Sequence, residues 1–166
     1  MSGRRIAAPR DETVRPTSDR AREAIFNMLY SLGLPRGCRV VDLYAGSGAL
    51  GIEALSRGAE EAYFVDKSAE ACRTIKDNLD GLAIHGRVIQ GDALQKLESL
   101  DADLVLADPP YGFDDWNRLL AAAGKAFVVA ESESALEALE GWEVLRSRKY
   151  GRATVTILRP TKRDNG

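Results

Sequence analysis

The feature that most constrains the fold of this chain is an alternation. From residue 39 to residue 130, short apolar runs take turns with segments whose apolar residues recur at helical spacing. Strand-length runs fall at 39–43, 62–65, 87–90, 104–107 and 126–130, and helical spacing covers 49–57, 68–79, 94–100 and 114–123, with one more helix expected over 134–139. The run 104–107 is continuously apolar, which is how a strand covered on both faces reads. Two last runs, 142–147 and 154–158, flank a turn near Tyr150-Gly151 and predict an antiparallel hairpin. Together these patterns predict an α/β fold with a mostly parallel, doubly wound sheet and a reversed edge. A helix over 19–32 is expected ahead of it, carried by Ala21, Ile25, Met28, Leu29 and Leu32 and started by Pro16-Thr17-Ser18-Asp19. Residues 1–16 read as a basic, irregular segment and 17–166 as a single domain.

Composition removes several classes of function. With 45% hydrophobic and 29% charged residues the chain is expected to be globular rather than disordered. No apolar run approaches the ~20 residues that cross a bilayer, and the arginine-rich start has no apolar stretch of the secretory kind. Cys38 and Cys72 lack metal-type spacing and read as core residues of a protein in the reduced cytoplasm. His85 is the only histidine and reads as a surface residue, so neither a histidine triad nor a histidine metal site is expected, and no metal is assigned. Net charge is −2 but unevenly spread. Residues 1–40 carry 8 basic and 4 acidic side chains, 41–145 carry 8 and 20, and 146–166 carry 7 and 1. Basic ends around an acidic middle suit a polyanion held by the termini, although charged ends are as often simply solvated.

Four motifs fall where strands end, which is where ligands bind in sheets of this kind. Asp42-Leu43-Tyr44-Ala45-Gly46-Ser47-Gly48 runs from a strand into a helix and, with Gly51, makes Gly-x-Gly-x-x-Gly. Its glycines permit a tight turn and close approach of backbone to a ligand. Asp42 beside the loop would repel a pyrophosphate and suits a cationic amino-acid group. Asp66, at the end of the second strand, is placed to accept both hydroxyls of a ribose, whether of S-adenosylmethionine or of NAD. Asp92, in Gly91-Asp92-Ala93, suits either an adenine amino group or a helix cap. The most informative is Asp108-Pro109-Pro110-Tyr111 after the fourth strand. Two prolines fix the backbone and remove two donors, so the Pro109 carbonyl and the Asp108 carboxylate can hold the two N–H bonds of one exocyclic amino group. That frees the nitrogen lone pair for in-line attack on a sulfonium methyl, while Tyr111 offers a face on which an extruded base stacks. Trp116, just beyond, reads as core packing before it reads as the edge of such a pocket.

Asp108-Pro109-Pro110-Tyr111 behind Asp42-x-x-x-Gly46-x-Gly48 resembles the Rossmann-like amino-methyltransferases. More narrowly, Arg15-Pro16-Thr17-Ser18-Asp19-Arg20-Ala21-Arg22-Glu23-Ala24-Ile25-Phe26-Asn27, the run 42–51 and Lys149-Tyr150-Gly151 resemble the bacterial small-subunit (16S) ribosomal RNA guanine-N2 methyltransferases of the RsmD type, over nearly the whole chain. The resemblance implies a class I, seven-stranded fold, S-adenosylmethionine as donor, and a guanine of 16S rRNA in a nascent small subunit as target. It implies that Asp42, Tyr44, Gly46, Ser47 and Gly48 hold the methionine part, Asp66 the ribose, Asp92 and Ala93 the adenine, and Asp108, Pro109 and Tyr111 the target guanine, with the Arg-Pro-Thr helix start over the cofactor pocket. Arg4, Arg5, Arg10, Arg15, Arg148 and Lys149 are the expected RNA contacts, and Arg146 and Arg152 extend the basic ridge on the hairpin. Three departures stand out: fewer residues than usual before Gly3-Arg4-Arg5, Arg152 where an acidic or small polar residue is expected, and Asp66 in place of glutamate.

Three rival readings remain open on the sequence. A DNA adenine amino-methyltransferase shares Asp-Pro-Pro-Tyr but normally carries a target-recognition insert that this chain has no room for. A nicotinamide-dependent oxidoreductase explains the glycine loop and leaves 108–111 without a role. A non-catalytic RNA-binding module with a vestigial pocket leaves the set of pocket acids unexplained.

Overall fold

The central strands are parallel and dry, as their apolar runs predict. In the computed structural model, which describes residues 18–137 and 139–161, β1 (Arg39–Leu43) pairs in parallel with β2 (Glu61–Asp66) on one side and with β4 (Leu104–Ala107) on the other. β3 (Arg87–Gln90) extends the sheet beyond β2, and β5 (Phe127–Ser132) beyond β4, both in parallel. The hairpin strands β6 (Trp142–Tyr150) and β7 (Ala153–Pro160) complete it, with β7 inserted antiparallel between β5 and β6. The order is β3-β2-β1-β4-β5-β7-β6. Strand order therefore runs one way from β1 and the other way from β4, and the switch point lies between their carboxyl ends.

Helices cover both faces. α1 (Asp19–Ser31), α2 (Ala49–Ser56) and α3 (Ala69–Leu82) share one core with Val40, Phe64, Leu104, Leu106, Val129, Val155 and Ile157. α4 (Ala93–Glu98) and α5 (Trp116–Ala123) share the other with Val41, Leu43, Val105, Val128 and Leu158. Ser18 caps α1 by accepting from the Ala21 N–H at 3.1 Å, and Asp19 in the first turn complements the helix dipole. Ile25, Phe26 and Leu29 bury the inner stripe of α1 completely. Arg22 and Arg57 both reach Glu53 (3.6 and 2.7 Å), and the Arg57 guanidinium lies 5.4 Å from the centre of the Phe26 ring, so α1 is tied to α2 as well as to the sheet.

Two sequence expectations need correction. The described part of the helix expected over 134–139 is irregular. Six residues are too few to sustain a helix without strong tertiary support, and the Ser132 hydroxyl donates to the Ser134 carbonyl at 2.6 Å, bending the chain instead. Leu136 and Leu139 still pack against the second core. The hairpin turn sits one residue later than expected, at Gly151-Arg152 with Gly151 at φ +61°, so β6 runs on to Tyr150. Cys38, Cys72 and Trp116 are core residues and His85 is exposed, as read from the sequence. Among the described residues, no helix is long and apolar enough to cross a membrane.

Candidate functional site

Three loops meet at the switch point. Asp42, the last but one residue of β1, is 2% exposed, and its Oδ2 accepts the Gly51 N–H at 2.9 Å, fastening the glycine loop to the first turn of α2. Gly46 and Gly48 take φ of +60° and +82°, a region only glycine enters freely. The Asp66 carboxylate bridges two loops, accepting the Gly46 N–H at Oδ2 and the Ser68 N–H at Oδ1, each at 2.9 Å. Ser47 is buried, and its carbonyl accepts from the Asn78 side-chain amide of α3 at 2.9 Å. Asp92 is exposed and caps α4 through the Gln95 N–H at 3.0 Å, and Ala93 behind it is buried. Asp92 is thus a helix cap, and capping leaves its carboxylate with acceptor capacity to spare.

Burial pushes the Asp42 carboxyl well above the usual carboxylate range; the Gly51 N–H pulls it back in part, and the negative charges of Asp108 and Asp66 push it further up. The folded protein therefore holds this proton more tightly than the unfolded chain does, so the group's contribution to stability is lost as pH rises from the ordinary value of 3.8 into that raised range. Asp42→Asn keeps an oxygen for the Gly51 N–H and removes the buried charge. Its stability relative to wild type is expected to improve between pH 4 and pH 8, read from denaturant midpoints at the two pH values. A constant difference would refute the assignment.

Tyr44 follows β1 with φ +56°, a costly conformation for a residue with a side chain. Its ring meets Phe113 edge-on at 5.8 Å, and Phe113 meets Trp116 at 4.9 Å. Burial, aided by Asp92 and Asp115 against Arg118, raises the Tyr44 phenol to about 12, so it stays protonated at neutral pH and serves as wall rather than base. The sequence offered Tyr44 and Trp116 separately; the structure joins them through Phe113.

Asp108-Pro109-Pro110-Tyr111 leaves β4 directly beside this loop. Asp108 and Pro109 are half-buried, and Tyr111 is 80% exposed, with its ring available for stacking. Asp108 and Pro109 line a groove of about 200 Å³, room for one planar heterocycle and little more. Its other walls are the start of α1 (Ser18, Ala21), the end of β5 (Glu131, Ser132, Glu133) and the hairpin turn (Tyr150, Arg152, Ala153). The β5 wall was missed in the sequence. The signal was present: an acid ends the fifth apolar run as Asp108 ends the fourth, and parallel register sets such residues side by side.

Arg148 and Lys149 are both exposed but face opposite ways. Arg148 pairs with Val155 and shares the α1 face with Tyr150, whereas Lys149 pairs with Thr154 and turns to the α4–α5 face. Arg4, Arg5, Arg10 and Arg15 lie outside the described residues. Among the described residues, no cluster of three or more His, Cys, Asp or Glu is arranged to hold a metal ion.

Sheet order, glycine loop and strand-end acids together define a class I methyltransferase fold. A family model described as conserved hypothetical protein 95 matches residues 1–159. The Bacillus subtilis (strain 168) protein YlbH is 36% identical over 172 residues, 93% of this chain and 92% of that protein. The ribosomal RNA small subunit methyltransferase D of Escherichia coli (strain K12) is 31% identical over 168 residues, 93% of this chain and 84% of that protein. The solved structure of the Escherichia coli protein yhhF superposes with a TM-score of 0.81 at 27% identity, covering 97% of this chain and 94% of that one. This chain belongs to the family of the small-subunit ribosomal RNA methyltransferase D proteins.

Proposed function

We propose that this protein transfers the methyl group of S-adenosylmethionine to the exocyclic amino nitrogen of a guanine in small-subunit ribosomal RNA, acting in the cytoplasm on a subunit assembly particle. The observation that carries this reading is the position of Asp108-Pro109-Pro110-Tyr111 at the carboxyl end of β4, next to the glycine loop that follows β1. The names of the curated relatives support ribosomal RNA as the substrate.

The residues present fit the cofactor. The carboxylates at the ends of β2, β3 and β4 suit a ligand that bears an ammonium and a sulfonium, and they oppose a pyrophosphate. Each Asp66 oxygen holds one backbone N–H and keeps a second lone pair for a ribose hydroxyl. The Asp92 oxygen not engaged with Gln95 can take an adenine N–H. Gly46 and Gly48, both at positive φ, turn the loop backbone toward the methionine part. When bound, S-adenosylmethionine supplies a methyl group made electrophilic by its sulfonium. Asp108 and the Pro109 carbonyl accept the two N–H bonds of the target amino group and so localise its lone pair on nitrogen. Tyr111 stacks on the extruded base. Asp108 is also the acceptor at hand for the proton that nitrogen gives up once it carries the methyl group. Rate enhancement comes from positioning and electrostatics, without a strong base.

The test is methyl transfer from labelled S-adenosylmethionine to undermethylated small subunits, naked rRNA and duplex DNA, followed by nucleoside analysis. N2-methylguanosine from the ribosomal substrates is expected. Methyladenine from DNA would transfer the reading to the adenine rival, and no label in any substrate would reduce the site to a vestigial pocket.

For the RNA surface, the geometry distinguishes two neighbours. Arg148→Glu is expected to weaken rRNA binding several-fold and to flatten its salt dependence by about one unit of slope. Lys149→Glu, on the far face, should change both far less. Cations on the edge strand β6 also guard it against pairing with another sheet, a role in which the two residues are equivalent. Equal effects on RNA binding, measured across a salt series, would therefore return both to that duty.

A further inference from the structure

The groove beside Asp108 holds a second carboxylate that the methyl-transfer chemistry does not use. In the parallel register of β4 and β5, Ala107 lies opposite Ala130, and the next residues on the two strands are Asp108 and Glu131. Alternation puts both on the α1 face: Leu104 and Leu106 on β4, and Val129 on β5, belong to the core under α1. Both line the same groove. Glu131 lines the groove and is only 8% exposed, so it is largely withdrawn from bulk water. On the opposite wall, at the hairpin turn, the groove has Tyr150 and Arg152, its one cationic lining residue among the described residues.

The two candidate bases differ in what they would show to this wall. Beside its 2-amino group guanine carries N1–H, a donor, and beyond it the acceptor O6. Adenine carries at N1 a bare lone pair next to its 6-amino group. An ionised carboxylate can only accept, so it attracts N1–H and repels the adenine lone pair.

We propose that Glu131 is the specificity-determining residue of this site, accepting the N1–H of guanine while Asp108 and the Pro109 carbonyl hold the adjacent amino group. The inference rests on the guanine reading given under Proposed function. Three donors on one edge of the base then meet three acceptors on adjacent strand ends, and Arg152 is left to face the acceptors O6 and N7. A site built to bond a polar group rejects an analogue lacking it far more strongly than an apolar pocket rejects a misfit, here because the lost bond is replaced by a lone pair set against a negative oxygen.

The discriminating probe is 2,6-diaminopurine, which keeps the 2-amino group and replaces N1–H by a lone pair and O6 by an amino group; the Glu131→Gln comparison separates the first change, at Glu131, from the second, at Arg152. Once the methylated guanine has been mapped, small-subunit particles are reconstituted from ligated rRNA bearing either base at that one position. Wild type is expected to methylate guanine at least ~10-fold faster in kcat/KM than diaminopurine. In Glu131→Gln the amide can donate to N1, so the preference should collapse or invert while diaminopurine methylation is retained or raised. A structural role would slow both substrates equally and leave their ratio unchanged, and that result overturns the proposal. If the Gln variant does not fold, Arg152→Ala takes its place: a preference for guanine that survives there supports the proposal, and one that disappears there, or equal rates in wild type, overturns it. If wild type leaves guanine unmethylated in every particle, the functional reading itself has failed, which is a different result from a lost preference.

Discussion

Asp108→Ala should lower methyl transfer by ~10²–10³-fold, the loss typical of removing one preorganised group from the reacting centre, while leaving S-adenosylmethionine affinity near that of wild type. The division follows from where the residue sits. Asp108 leaves β4 into the groove with Pro109, whereas the loops after β1, β2 and β3, to which the cofactor is assigned in the proposal, are fastened by Asp42, Asp66 and Asp92 through bonds that do not involve it. Asp108→Asn keeps one acceptor oxygen but cannot take up a proton at neutral pH, so it should fall between wild type and Ala. A graded series of this kind, with an unchanged melting temperature, separates loss of chemistry from loss of fold. The charge of Asp108 also helps to keep the Asp42 carboxyl high, so both substitutions should lower the Asp42 midpoint in a carboxyl titration. Activity of Asp108→Ala at a wild-type level would remove the amino group from the proposed site.

The layers of the fold were legible because strands buried on both faces have no polar side to hide. β4 is a continuous apolar run, β1 is apolar but for Arg39 and Asp42, and the glycine loop and Asp108 mark their carboxyl ends in the sequence. The position of β7 between β5 and β6 was not legible: the hairpin motif fixes that the two strands pair, not which of them pairs with β5. The stretch 134–139 misled because Leu136 and Leu139 recur at helical spacing in a segment too short to act on it, with Ser132 and Ser134 diverting its start.

The same asymmetry runs through the site. Residues announced by local chemistry, such as Asp42, Gly46, Asp66 and Asp108, stand at the strand ends from which the sequence argued. Residues brought in by register or by packing were hidden. Glu131 reaches the groove because Ala130 lies opposite Ala107, and Phe113 joins the Tyr44 wall through ring contacts alone. Asp66 shows a third case. A ribose-binding acid was read from its place after β2, and its two bonds to loop N–H groups give it a further duty, holding the glycine loop against the β2–α3 loop.

Gly51→Ala should be the most damaging single methyl group added to this protein. A Cβ at Gly51 would lie 2.4 Å from Phe64 Cε2, 2.9 Å from its Cζ and 3.1 Å from Asp42 Oδ2. The ring cannot simply step aside. Phe64 is fully buried, and it also fills the space over Gly48 (3.3 Å) and Gly86 (2.6 Å), so one aromatic ring is seated among three missing side chains. Relief must come from moving the first turn of α2 off the sheet, which strains the 2.9 Å bond from the Gly51 N–H to Asp42 and shifts the glycine loop with it. Overpacking of this kind costs about 1–3 kcal/mol, and more where the surroundings are rigid. At the size of this domain each kcal/mol moves the melting temperature by roughly 2–4 °C. Of the three glycines of the motif, Gly51 thus serves packing, Gly46 the turn and Gly48 both, and the loss of Gly51 should appear first as instability and then as weaker cofactor binding. Phe64→Leu shortens the offending ring. In that background Gly51→Ala should cost less than it does alone, with a coupling of about 0.5–3 kcal/mol in a double-mutant cycle read by denaturant unfolding. Additive effects would mean that the clash is relieved elsewhere and that the third glycine is not there for Phe64.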